Sequence, residues 1–123
     1  MIDDDEDYSA VICVRLEKEG FEIQWVPSCD AAIALLEKDL GFDCIILDVE
    51  MPERNGLATL AHLRSRFSSQ PGGFSIPVIV ATGLMSPRLK DIFESQAVSD
   101  YIQKPFETSV LIGKIEKILA KKG

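Results

Sequence analysis

The hydrophobic pattern centres on Cys44 to Leu47, an apolar run with no polar alternation, which predicts a strand over about 43–48 covered on both faces. Upstream, Tyr8, Val11, Ile12 and Leu16 fall at helical spacing between Asp5 and Glu19, and Gly20 supplies a stop. Residues 21–26, FEIQWV, alternate and carry aromatic and β-branched side chains, so they read as a short strand ended by Pro27. Ser28 is a candidate N-cap with Asp30 in the first turn, and a second helix runs through Ile33, Leu36 and Leu40 to Gly41. After the central strand, Pro52, Asn55 and Gly56 punctuate a loop, and a third helix spans about 57–67. SSQPGGFS, 68–75, is a loop by composition and looks several residues long for its place. Pro77 opens a strand at 78–82, VIVAT; Ser86 and Pro87 then start a helix that runs to about Gln96. A short strand at 99–103 and a last helix at about 108–120, with Leu111, Ile115, Ile118 and Leu119 as its buried stripe, complete the pattern.

Strands alternating with helices predict parallel β-α-β units with right-handed crossovers, hence an α/β doubly wound sandwich. The start is awkward. Only Met1 and Ile2 precede the acidic run 3–7, DDDED, too few for the first strand such a sheet wants. Either that strand is a stub, or the chain begins late relative to an intact domain.

Composition narrows the function classes. With 123 residues, 46% hydrophobic and 27% charged, the chain reads as one ordinary globular domain, 1–123. A net charge of −7 argues against direct nucleic-acid binding and against docking on an anionic membrane. No apolar run approaches the roughly 20 residues of a membrane span, and MIDDDED is the reverse of a signal peptide. Cys13, Cys29 and Cys44 are odd in number and widely spaced, and read as buried reduced thiols of a cytoplasmic protein. His62, the one histidine, lies in a helical pattern, so a histidine-rich metal site is excluded.

The candidate chemistry sits at strand ends. Asp48 closes the central strand, where an open α/β sheet places its reactive groups, although an aspartate there also serves simply to turn a loop. If Ile2 ends the first strand, Asp3, Asp4 and Asp48 gather at one edge, where each close pair of carboxylates costs about 4 kcal/mol at an effective dielectric near 20. A protonated member or a bound cation relieves this, and hard oxygen ligands suit Mg²⁺ better than zinc. A solvated, helix-capping role is the competing reading of residues 3–7. Thr82 and Lys104 end the next two strands and add a hydroxyl and an ammonium to the same edge. Together these are the parts needed to receive a phosphoryl group on a nucleophilic carboxylate.

The pair Asp3-Asp4, the stretch LDVEMPERNG with Asp48, Pro52 and Gly56, the pair Thr82-Gly83, and DYIQKPF with Lys104-Pro105-Phe106 occur in order and at nearly the expected spacing. In combination they resemble the receiver domain of two-component response regulators, over essentially the whole chain. The resemblance implies a flavodoxin-like three-layer sandwich with five helices and parallel strand order 2-1-3-4-5, here with an apparently truncated first strand. It implies Asp48 as phospho-acceptor; Asp3, Asp4, Asp48 and the Glu50 backbone carbonyl as Mg²⁺ ligands, Asp3 through water; and Thr82 and Lys104 on the phosphoryl group. Thr82 and Tyr101 would form the switch, and the Lys104–Pro105 peptide would be cis, as in the family.

The implied activity is a phosphorylation switch, not a conventional enzyme: the chain would catalyse at most its own phosphorylation and dephosphorylation. A sensor histidine kinase or phosphotransfer protein would donate. The face of helix 4, strand 5 and helix 5 would then change its preference for a protein target or a dimer partner. Glu50, two residues after the acceptor, is placed to repel or orient an attacking water, and Leu84, two after Thr82, to slow its access. The alternative is a receiver-like interaction module that works without phosphorylation. A flavodoxin binding FMN is disfavoured, because no Ser/Thr/Gly-rich phosphate loop follows strand one. Trp25, the one tryptophan, is expected to lie away from the site.

Overall fold

The computed structural model describes residues 1–50, 56–70, 73–83 and 86–122, with backbone alone at 56 and 122; Pro52, Asn55 and Leu84 lie outside these, as does part of the 68–75 loop. The elements are α1 (Glu6–Lys18), α2 (Cys29–Lys38), β1 (Ile45–Asp48), α3 (Gly56–Arg66), β2 (Val78–Thr82), α4 (Pro87–Ser95), β3 (Asp100–Gln103) and α5 (Thr108–Lys122). Local chemistry sets the starts of three helices. The side chains of Asp5, Ser28 and Ser86 accept from the N–H groups of Tyr8, Ala31 and Leu89 at 3.0, 3.2 and 3.1 Å, and Pro87 opens α4. Each such cap contributes about 1 kcal/mol. Gly20 follows α1 at φ 93°, a left-handed conformation that glycine adopts without a Cβ penalty. Helix α2 ends at Lys38, short of the expected Gly41, with Asp39 as an extended C-cap.

The strands β1, β2 and β3 form a parallel sheet in that order, with Asp48 opposite Ala81 and Thr82 opposite Gln103, so their carboxyl ends share one edge. Side chains alternate between two apolar layers. Ile45, Leu47, Val78 and Val80 pack with Ala32 and Leu36 of α2, Leu60 and Leu63 of α3 and Phe93 of α4. Ile46, Ile79, Ala81 and Ile102 pack with Ile12 and Leu16 of α1 and Leu111, Ile115 and Ile118 of α5. The result is the expected flavodoxin-like three-layer sandwich.

The first two expected strands differ from expectation. Ile2 forms parallel bridges to both Val26 and Leu47, so the order Val26, Ile2, β1, β2, β3 reproduces 2-1-3-4-5, but the ladder there is one residue deep. The bonds are Ile2 N–H to Ile46 (2.8 Å), Asp48 N–H to Ile2 (2.9 Å), Val26 N–H to Met1 (2.9 Å) and Asp3 N–H to Val26 (3.2 Å). Residues 21–25 are not a strand, because a strand needs a neighbour and Met1 and Ile2 reach only Gln24 and Val26. Beside them, a cavity of about 820 Å³ is lined by residues including Phe21, Ile23, Phe42, Ile46, Ile115 and Leu119. No helix among the described residues is long and apolar enough to cross a membrane. Of the three cysteines expected to be buried, Cys29 is, whereas Cys13 and Cys44 are only partly covered.

Candidate functional site

The acidic run divides its labour by residue. Asp3 is 1% exposed, Asp4 is exposed, Asp5 caps α1, and Glu6 and Asp7 sit in its first turn, where negative charge suits the helix dipole. The helix-capping reading thus holds for Asp5, Glu6 and Asp7, while Asp3 is buried instead. Ile2, pinned between Val26 and Leu47, delivers Asp3 and Asp4 to the carboxyl end of β1, where Asp48 is 4% exposed. Asp3, Asp4 and Asp48 each offer a carboxylate oxygen, all within 4.8 Å of one another.

Lys104 enters from the end of β3. Its Nζ lies 2.9 Å from Asp3 Oδ2 and 3.4 Å from Asp48 Oδ1. Its backbone N–H donates to the Thr82 carbonyl at 2.7 Å, and the peptide to Pro105 is cis. Asp3 is held from both ends: its Oδ1 accepts the Asp5 N–H at 2.9 Å, and its carbonyl accepts the Trp25 indole N–H at 2.8 Å. Trp25 is thus at the site, against expectation, because the Val26–Ile2 bridge brings the preceding residue alongside Asp3. Tyr8 is a second residue that the sequence reading does not anticipate here. Its ring lies 4.8 Å below Lys104 Nζ and meets Phe106 edge to face at 6.0 Å. An aromatic in the first helical turn directly after an acidic run is the signal that could have pointed to it.

Electrostatics follow from this crowding. Burial, joined by the Asp3 charge, pushes the Asp48 carboxyl from 3.8 up to about 6, against the Glu50 N–H and Lys104, which favour its charged form. Burial disfavours the Lys104 ammonium, but its hydrogen bond and attraction to Asp3, then Asp48, outweigh this and raise its pKa. Burial likewise pushes the Tyr8 phenol up, against the pull of Lys104. One lysine shared by two buried carboxylates, with a third at the rim, leaves negative charge in excess. Hard oxygen donors, one of them open to water at Asp4, fit a magnesium-like cation.

Thr82 is 1% exposed at the end of β2, and its hydroxyl donates to Glu50 Oε1 at 2.7 Å; the Gly83 N–H donates to the same oxygen at 2.7 Å. The Glu50 N–H in turn donates to Asp48 Oδ1 at 3.1 Å. Tyr101 is half-buried on β3, with its ring 5.9 Å from Phe93 and Lys90 Nζ 5.8 Å from its centroid. The structure therefore brings together Asp3, Asp4, Asp48 and Lys104, and sets Thr82 and Glu50 beside them. Tyr101 lies apart, packed against α4.

The sequence model of the response regulator receiver domain matches residues 1–116. The chain belongs to this receiver family. Among curated relatives of the receiver, the transcriptional regulatory protein CpxR of Klebsiella pneumoniae is 31% identical over 98% of this chain and 48% of its own length. The sensory transduction protein RegX3 of Mycobacterium bovis is 30% identical over 100% of this chain and 51% of its own. The receiver thus spans about half the length of these relatives. In solved structures, the Francisella response regulator 1452 receiver domain superposes with a TM-score of 0.86 at 24% identity, covering 99% of this chain and 95% of that one. The receiver domain of a Syntrophus aciditrophicus signal transduction histidine kinase gives 0.81 at 29% identity, covering 98% and 87%.

Proposed function

We propose that this receiver, as one domain over residues 1–123, is a cytoplasmic phospho-acceptor switch. A carboxylate oxygen of Asp48 attacks phosphorus on a phosphohistidine of a sensor kinase or phosphotransfer protein. The new O–P bond makes an acyl phosphate; the N–P bond breaks, and its electron pair stays on the imidazole nitrogen, which takes up a proton. Asp3 (through water), Asp4, Asp48 and the Glu50 carbonyl would hold Mg²⁺, which would supply positive charge against the phosphoryl oxygens. Lys104 neutralises a further oxygen, and the Thr82 hydroxyl donates to another. Phosphorylation draws on Thr82 and is read by Tyr101, so the α4–β3–α5 face changes its affinity for a protein target or a second receiver.

The observation that supports this reading best is the convergence of Asp3, Asp48 and Lys104, with Lys104 Nζ within 3.4 Å of both carboxylates. Incubation with Mg²⁺ and acetyl phosphate, followed by intact-mass measurement, tests it. One added phosphoryl group is expected on the wild type and none on Asp48→Asn. A wild-type chain left unlabelled where a known receiver is labelled would instead favour the phosphorylation-independent interaction module.

A further inference from the structure

The Glu50 side chain has no assigned role in the scheme above, yet its carboxylate binds the end of β2 through two short hydrogen bonds. Its Oε1 accepts both the Thr82 hydroxyl and the Gly83 N–H at 2.7 Å. The carboxylate packs against Gly83, so closely that a Cβ there would sit 3.1 Å from Oε2. A hydroxyl and a backbone N–H converging on one anionic oxygen form an oxyanion-binding pair, and charge-assisted bonds of this kind are about twice as strong as neutral ones. Asp48 is two residues away and tied to Glu50 through the Glu50 N–H. Thr82 is the hydroxyl that the proposed function assigns to a phosphoryl oxygen.

We infer that Glu50 is an intramolecular latch, its carboxylate occupying in the resting receiver the donor pair that a phosphoryl group on Asp48 would need. The inference rests on the phospho-acceptor reading and deepens it. A carboxylate and a phosphoryl oxygen compete for the same donors, so transfer to Asp48 requires Glu50 to let go. The product keeps it away, because a phosphoryl dianion and the Glu50 carboxylate repel at this range. Glu50 is a positioning residue here. It raises the barrier to phosphorylation, holds Thr82 in the resting state, and is released toward solvent when the receiver is charged.

The test compares wild type, Glu50→Ala, Glu50→Gln and Gly83→Ala for the rate of phosphoryl gain from acetyl phosphate with Mg²⁺, read by intact mass. Alongside, the Gly83 amide proton is followed by NMR without any phospho-donor. Glu50→Ala is expected to be labelled about tenfold faster or more, the scale of one charge-assisted hydrogen bond. Glu50→Gln should fall between, since its amide oxygen accepts without the charge. Gly83→Ala crowds the carboxylate at Oε2, which must give way by a few tenths of an ångström, and should also speed labelling. In Glu50→Ala the Gly83 amide should shift upfield, a signature that altered folding elsewhere would not produce alone. An unmoved Gly83 amide, or equal or slower labelling of Glu50→Ala in a wild type that does label, overturns the latch. Failure of all four chains to label overturns the phospho-acceptor reading itself, and the latch with it.

Discussion

Replacing Asp48 by asparagine should stabilise the receiver near neutral pH, by an amount that the site's electrostatics predict. In the folded chain the carboxyl titrates at about 6 in place of 3.8, because it is buried beside Asp3. The folded state therefore binds the Asp48 proton more tightly than the unfolded state does. Between these two values the unfolded chain has lost the proton and the folded chain keeps it, so stability falls as pH rises through this window. Above about pH 6 the cost is fully present, and the full gap corresponds to about 3 kcal/mol. From about pH 5 to about pH 7.5, the linkage relation has the penalty grow from about 1.6 to about 3 kcal/mol. Asparagine carries no such penalty, and its amide oxygen can still accept the Glu50 N–H, while Lys104 retains Asp3. Urea unfolding of both chains, followed by Trp25 fluorescence and circular dichroism, measures the difference; carboxylates remote from the site cancel between them. The variant should gain about 1–3 kcal/mol at about pH 7.5 and clearly less at about pH 5. A variant that is no more stable at the higher pH, or whose advantage does not depend on pH, would refute the account of a strained, buried charge.

Magnesium should act in the same direction on the wild type. At ten times its Kd it should raise unfolding free energy by about 1.4 kcal/mol in the wild type and by much less in Asp3→Asn. Because the Trp25 indole bonds to the Asp3 carbonyl, its fluorescence should change on titration with Mg²⁺ and saturate together with the stability gain. Lys104→Met removes the ammonium that lies 3.4 Å from Asp48, so the Asp48 carboxyl should titrate above about 6, read from its carboxyl-carbon chemical shift across pH. Phe93 is fully buried between α4 and the sheet. Phe93→Ala should cost about 3–5 kcal/mol in urea unfolding and should loosen the packing of Tyr101, visible as a sharpened, averaged ring signal by NMR.

Much of the architecture is written locally. Ser28 and Ser86 cap the helices they precede, Pro87 opens α4, and Val78 to Thr82 is a strand in the chain and in the fold alike. These features depend on a residue and its neighbours within one turn or one strand, so the pattern of side chains suffices to read them. The members of the candidate site were also legible, because in a parallel sheet every strand ends on the same edge; Asp48 and Thr82 end β1 and β2, and Lys104 directly follows β3.

What the chain alone left open depends on distant partners. Residues 21–25 have strand-like alternation, but strand formation needs a neighbour's N–H and C=O groups, and among the described residues the bridge comes from Ile2, at Val26. Composition cannot tell Asp3 from Asp4 or Asp5. The fold does, by burying Asp3 against a lysine 101 residues away, leaving Asp4 at the rim and using Asp5 as a cap. Likewise Trp25 reaches Asp3, and Glu50 reaches Thr82 and Gly83, only after the strands have aligned. Side-chain pattern along the chain was enough to say which elements form and which groups stand at their ends. Which of those groups touch was left to the packed sheet, since burial and hydrogen bonding between remote segments exist only once it has assembled.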